Sequence, residues 1–66
     1  MNKVAGYRKM LGKTQSEMAK IFNISTQSYW QKENGKIQFS DEEKLLFKGL
    51  VKTIFPDITI DTIFFS

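Results

Sequence analysis

The 66 residues contain no cysteine and no histidine, and no other feature of the sequence narrows the possible folds as much. A chain of this size buries only about 60% of the surface that its unfolded form exposes. Domains so small commonly add disulfides, a structural metal or a partner chain to a marginal core. Zero Cys removes the disulfides, and zero Cys with zero His leaves no plausible zinc site. Tight helix packing, association with a second copy, or both remain. Six Phe, two Tyr and one Trp supply apolar bulk for such packing. The same absence removes the usual nucleophile–base pairs, and no close cluster of carboxylates suggests acid–base chemistry. The expectation is a single domain over 1–66 that is not an enzyme and uses no metal or cofactor.

Charge is unevenly spread. Residues 1–36 hold Lys3, Arg8, Lys9, Lys13, Lys20, Lys32 and Lys36 against Glu17 and Glu33, a net +5. Residues 37–66 hold Lys44, Lys48 and Lys52 against Asp41, Glu42, Glu43, Asp57 and Asp61, a net −2. A basic front half suits a polyanion, either nucleic acid or an acidic membrane surface, and ordinary solvated lysines are the bland alternative. No apolar run follows the early cations, and no stretch approaches the roughly 20 apolar residues of a membrane span. No membrane association and a cytoplasmic location are therefore expected.

The punctuation of the chain predicts helices throughout. Val4, Tyr7 and Leu11 form one apolar face of a first helix over roughly 2–11, closed by Gly12. Thr14-Gln15-Ser16-Glu17 is a capping box that opens a short second helix, with Met18, Ala19 and Phe22 facing inward and Asn23 ending it. Ser25 caps a third helix, Ile24 tucks inward before it, and Gly35 follows its end at about Asn34. After a loop of roughly 36–39, Ser40-Asp41-Glu42-Glu43 repeats the box. It opens a fourth helix with Leu46, Phe47, Leu50, Val51 and Ile54 on its apolar face, terminated by Pro56. In the tail, Ile58 and Ile60 alternate like a strand, whereas Ile60, Ile63 and Phe64 have helical spacing; a last helix capped by Thr59 is preferred. Gly6 and Gly49, inside predicted helices, mark either close helix contacts or simple tolerance.

Two short helices joined by three residues within the basic half have the layout of a helix-turn-helix, at about 14–34. On the third helix Gln27, Trp30, Gln31 and Asn34 share one face, opposite Tyr29, Lys32 and Glu33. Three amides and an aromatic replace the usual Lys/Glu mixture of a solvated face. Amide side chains can pair bidentately with adenine in the major groove.

The run from Arg8 through Thr14, Gln15, Glu17, Met18, Ala19, Phe22, Ile24, Ser25, Tyr29 and Glu33-Asn34-Gly35-Lys36 resembles the Xre-type helix-turn-helix family, which includes small phage repressors and Cro proteins. The segment Asp57 to Phe65 resembles the closing segment of short members. The resemblance implies an all-α, compact five-helix bundle of the lambda-repressor-like type. It also implies a sequence-specific regulator of transcription that binds double-stranded DNA. By the same resemblance Thr26, Gln27 and Gln31 face base edges, and Gln15, Asn34 and Lys36 contact phosphate. Arg8 and Glu33 correspond to an ion pair that ties the first helix to the third. Trp30 departs from the family pattern. It is grouped with the base-reading residues, as a contact for a thymine methyl or a sugar, while packing against the loop at 36–39 is the alternative. Asn23 replaces a turn Gly at little cost. Lys32 occupies a commonly apolar position, so its stem is expected to cover the core while its ammonium reaches solvent.

A headpiece this small reads few base pairs, so the expected state is a homodimer on a palindromic operator. An exposed apolar tail of Ile63, Phe64 and Phe65 is the candidate dimer surface, with packing onto the fourth helix as its alternative. A protein-interaction module on the same fold, such as an antitoxin, is the second functional reading.

Overall fold

The computed structural model describes residues 2–65, which form five helices and no strand. They are α1 (Val4–Met10), α2 (Gln15–Phe22), α3 (Thr26–Glu33), α4 (Asp41–Val51) and α5 (Ile60–Phe64). The starts of α2 to α5 are each fixed by a side-chain cap. Both capping boxes form: the Glu17 amide donates to the Thr14 hydroxyl and the Thr14 amide to the Glu17 carboxylate, with the same exchange between Ser40 and Glu43. Ser25 caps α3 and Thr59 caps α5.

The first three helices end alike. Gly12 (φ 72), Asn23 (φ 58) and Gly35 (φ 78) adopt the left-handed conformation. At each, the following amide reaches back across the helix end: Lys13 to Arg8 O, Ile24 to Ala19 O and Lys36 to Gln31 O. This is the Schellman closure, which satisfies carbonyls that the helix itself leaves open.

Aromatic rings form the centre. Phe22 lies 5.8 Å from Tyr29, 6.0 Å from Phe39 and 6.5 Å from Phe47, ring centroid to ring centroid. Phe64 closes the group at 5.4 Å from Phe39 and 6.1 Å from Phe47. Tilted and edge-on pairs of this kind add about 0.5–1.5 kcal/mol each beyond area burial. Val4, Met18, Ala19, Val51 and Ile63 complete the core. The N-terminal segment is stitched to this body, with the Lys3 amide donating to Ile63 O at 2.8 Å and the Asn2 side chain to Lys32 O at 3.3 Å. Among the described residues no helix is long and apolar enough to cross a membrane.

Several expectations need correction. The segment 36–39 is irregular as expected, yet Phe39 within it is a core residue. Helix α4 ends at Val51, before Pro56, where the Thr53 and Ile54 amides donate to the carbonyls three residues back, Leu50 O at 3.2 Å and Val51 O at 2.9 Å, and the Thr53 hydroxyl joins at Leu50 O at 2.7 Å. Ile54 then lies outside the helix and is exposed, and Phe55 packs edge-on against Tyr7 instead. Leu46 is also exposed, since Phe47 and Val51, one turn apart, set the inward direction. An added Cβ at Gly6 or Gly49 would meet nothing within 4 Å, so neither marks a close helix contact. Ile63 and Phe64 are core residues, not an exposed tail; α5 turns them inward, and only Phe65 stays outside, at 66% exposure.

Candidate nucleic-acid interface

Helix α3 is amphipathic in an unusual sense: its buried side is largely polar and its outward side carries amides. Tyr29 and Glu33 point inward and both are buried. Glu33 is a carboxylate 8% exposed, and such a charge persists in a core only if it is paired and hydrogen-bonded. Arg8 donates through Nε to Oε2 at 2.8 Å and through Nη2 to Oε1 at 3.3 Å. Gln15 Nε2 donates to Oε1 at 3.0 Å, and the Tyr29 hydroxyl to Oε2 at 2.7 Å. Arg8 Nη1 also donates to Lys13 O at 2.8 Å. One carboxylate thereby fastens α1, the N-terminus of α2 and α3 together.

The electrostatics follow from this geometry. Burial pushes the Glu33 carboxyl up, but the hydrogen bonds from Arg8, Tyr29 and Gln15, with the guanidinium charge, outweigh it and hold it below its ordinary value. Burial and the hydrogen bond to Glu33 push the Tyr29 phenol strongly upward, so its proton stays as the donor. The hydrogen bond to Glu33 raises the Arg8 guanidinium against the opposing effect of burial.

A second tie joins α3 to α4. Lys32 Nζ lies 2.6 and 2.7 Å from the two Glu43 carboxylate oxygens, one of which also accepts the Ser40 amide at 2.8 Å. The Lys32 ammonium thus pairs with Glu43 and does not run out to solvent, a partner that lies eleven residues away and outside the helix's own pattern.

The outward side holds Thr26, Gln27, Trp30 and Asn34, all exposed, with Gln31 half-buried among them. Thr26 shares an open depression with Arg8, Lys9, Lys13, Gln15 and Ser16. Here the Gln15 and Ser16 amides, in the first turn of α2, lie outside the helix's own ladder and attract anions. Lys9 and Lys13 were not singled out from the sequence; Lys13, directly before the Thr14 cap, was the available signal. Gln15 reaches this depression while giving a side-chain N–H to Glu33, and its second N–H is a further donor.

At the other end of α3, Asn34 Nδ2 donates to Trp30 O at 2.9 Å, so the Asn34 side chain is engaged in closing the helix. Lys36 lies beside it, with Nζ 5.6 Å from the centroid of the Trp30 ring. The amide-bearing face is therefore flanked by cations at both ends. Phe65 lines a shallow groove with Gly35 and Ile37, and Lys44 Nζ lies 4.7 Å over its ring. Among the described residues no group of three or more His, Cys, Asp or Glu could hold a metal ion. Comparison with known proteins finds no matching family model, curated protein or solved structure.

Proposed function

We propose that this chain is a sequence-specific regulator of transcription that binds double-stranded DNA, of the repressor or Cro-like kind. In this reading α1–α5 are a lambda-repressor-like bundle and α2–α3 its helix-turn-helix. The observation that carries it is the amide face of α3, Gln27 and Gln31 with Thr26, flanked by Lys9 and Lys13 at one end and Lys36 at the other. A major groove admits a helix, amides suit adenine edges, and the flanking cations suit the phosphates on either side. The Glu33 network supports the reading, because a helix that reads bases must be held rigidly against the one that grips the backbone.

Two copies on a palindromic site complete the proposal. Half-sites one helical turn apart are separated by about 34 Å, and the molecule is 30 Å along its longest axis. Neighbouring copies would lie edge to edge, and Phe65, together with Ile37 on the same shallow groove, is available for the contact.

The test is binding of the purified chain to its own upstream DNA as a function of salt, followed by selection of bound sequences from a random duplex library. Phosphate-driven binding should weaken steeply with salt, and the selected sites should be palindromic. Salt-independent or absent binding would remove the regulator reading and leave the protein-interaction module.

A further inference from the structure

Trp30 is the single tryptophan of the chain, and it stands half-exposed on the outward face of α3 although nothing in the core requires it there. Its neighbour is fixed by the way α3 ends. Gly35, at φ 78, reverses the chain, and the Lys36 and Ile37 amides both donate to Gln31 O, at 2.8 and 3.3 Å. That turn folds Lys36 back along the helix and sets its ammonium 5.6 Å from the indole centroid, within cation–π range. Carbonyls at the C-terminal end of α3 favour a cation in the same place. The Asn34 side chain donates to Trp30 O and holds the last turn closed beneath both groups.

The ammonium lies over the indole ring, and Trp30 keeps 42% of its surface exposed, so apolar surface and positive charge stand together at this corner of the helix. We infer that Trp30 and Lys36 act as one clamp on the DNA backbone, the indole covering a deoxyribose and the ammonium taking the adjacent phosphate, so that Trp30 contributes affinity without reading a base. This rests on the DNA-binding reading above and reassigns Trp30 within it. A sugar next to a phosphate offers the matching chemistry: C–H surface beside an anion, repeated along every strand whatever the sequence. A thymine edge sets its methyl beside the neutral O4 acceptor, a weaker partner for an ammonium than a phosphate and one present only at that base.

The clamp makes Trp30 and Lys36 interdependent, which a base contact would not. Fluorescence anisotropy with labelled duplexes should show that Trp30→Ala weakens binding to a selected site and to an unrelated duplex by the same factor, about 3- to 10-fold. The salt slope should fall by about one unit, as for loss of one phosphate contact. Adding Lys36→Ala to Trp30→Ala should have little further effect, and Trp30→Phe should restore most of the affinity. Indole emission of the wild-type chain should change on binding the unrelated duplex as well. Preference lost at one base position, a loss reproduced by replacing thymine with uracil in the site, or independent effects of the two substitutions would overturn the clamp while leaving the DNA reading intact. A wild-type chain that binds no duplex would overturn both. Because Trp30 is on the surface, circular dichroism of the variants should be unchanged; altered spectra would assign Trp30 to folding and overturn the clamp.

Discussion

Glu33 concentrates the physics of the interface in one side chain. Its carboxylate is an acceptor for Arg8, Gln15 and Tyr29, so neutralising it leaves a guanidinium and a phenol with weaker partners in a buried place. Removing one member of a buried pair costs about 3–5 kcal/mol, and Glu33→Gln should lower the urea stability at pH 7 by an amount near the lower end of that range. The folded-state carboxyl lies below its ordinary value of 4.5. Its contribution is therefore complete above the unfolded-state value and is lost as pH falls through the folded one. Glu43 behaves likewise, with burial opposed by the Lys32 contact, as does Glu17 through the Thr14 amide. The wild-type chain should lose stability on acidification below about pH 4.5, and the Glu33→Gln variant should lose less; equal acid sensitivity in urea titrations would argue against this role. The Arg8–Glu33 link was legible in the sequence by resemblance, whereas the Tyr29 and Gln15 contacts depend on how three helices converge. On the outward side, Gln31→Ala should cost about 1–3 kcal/mol of specific binding and relax the preference at one base position. Unchanged selectivity in competition assays would take Gln31 out of the reading set.

Helix boundaries were legible wherever a side chain speaks to its own backbone. Thr14, Ser25, Ser40 and Thr59 cap where expected, and Gly12, Asn23 and Gly35 close where expected, because these interactions span only a few residues. Long-range packing was not legible in the same way. Phe39 has no periodic partners to mark it as buried, and Lys32 meets Glu43 only after the loop between α3 and α4 has been traversed. Pro56 was a plausible stop, but α4 tightens into a turn at Thr53 and Ile54 first. Gly6 and Gly49 give an element-scale prediction. Both lie on exposed helical positions with open space around them, so Gly6→Ala and Gly49→Ala should each stabilise the fold by about 0.5–1 kcal/mol. Thermal melts should show an upward shift for each, additive in the double variant; a downward shift would mean that the surroundings are tighter than the geometry indicates.

At the scale of the whole molecule, the tail changed most between sequence and structure. Apolar spacing alone does not distinguish residues that complete a core from residues that seek a partner, and Ile63 and Phe64 proved to be of the first kind. Phe65→Ser should therefore leave monomer stability within about 0.5 kcal/mol, as surface substitutions usually do, while weakening self-association. Sedimentation and binding to one half-site against two would check this: cooperative binding to the paired site should fall, with half-site affinity unchanged. The ring cluster has a consequence of another sort. Its members come from Phe22 to Phe64, so no shorter piece of the chain can assemble the centre on which α3 rests. Unfolding of α5 alone would withdraw Ile63 and Phe64 from that centre, and with Phe64 the ring contacts to Phe39 and Phe47, so the last helix shares in the support of a face that lies thirty residues before it.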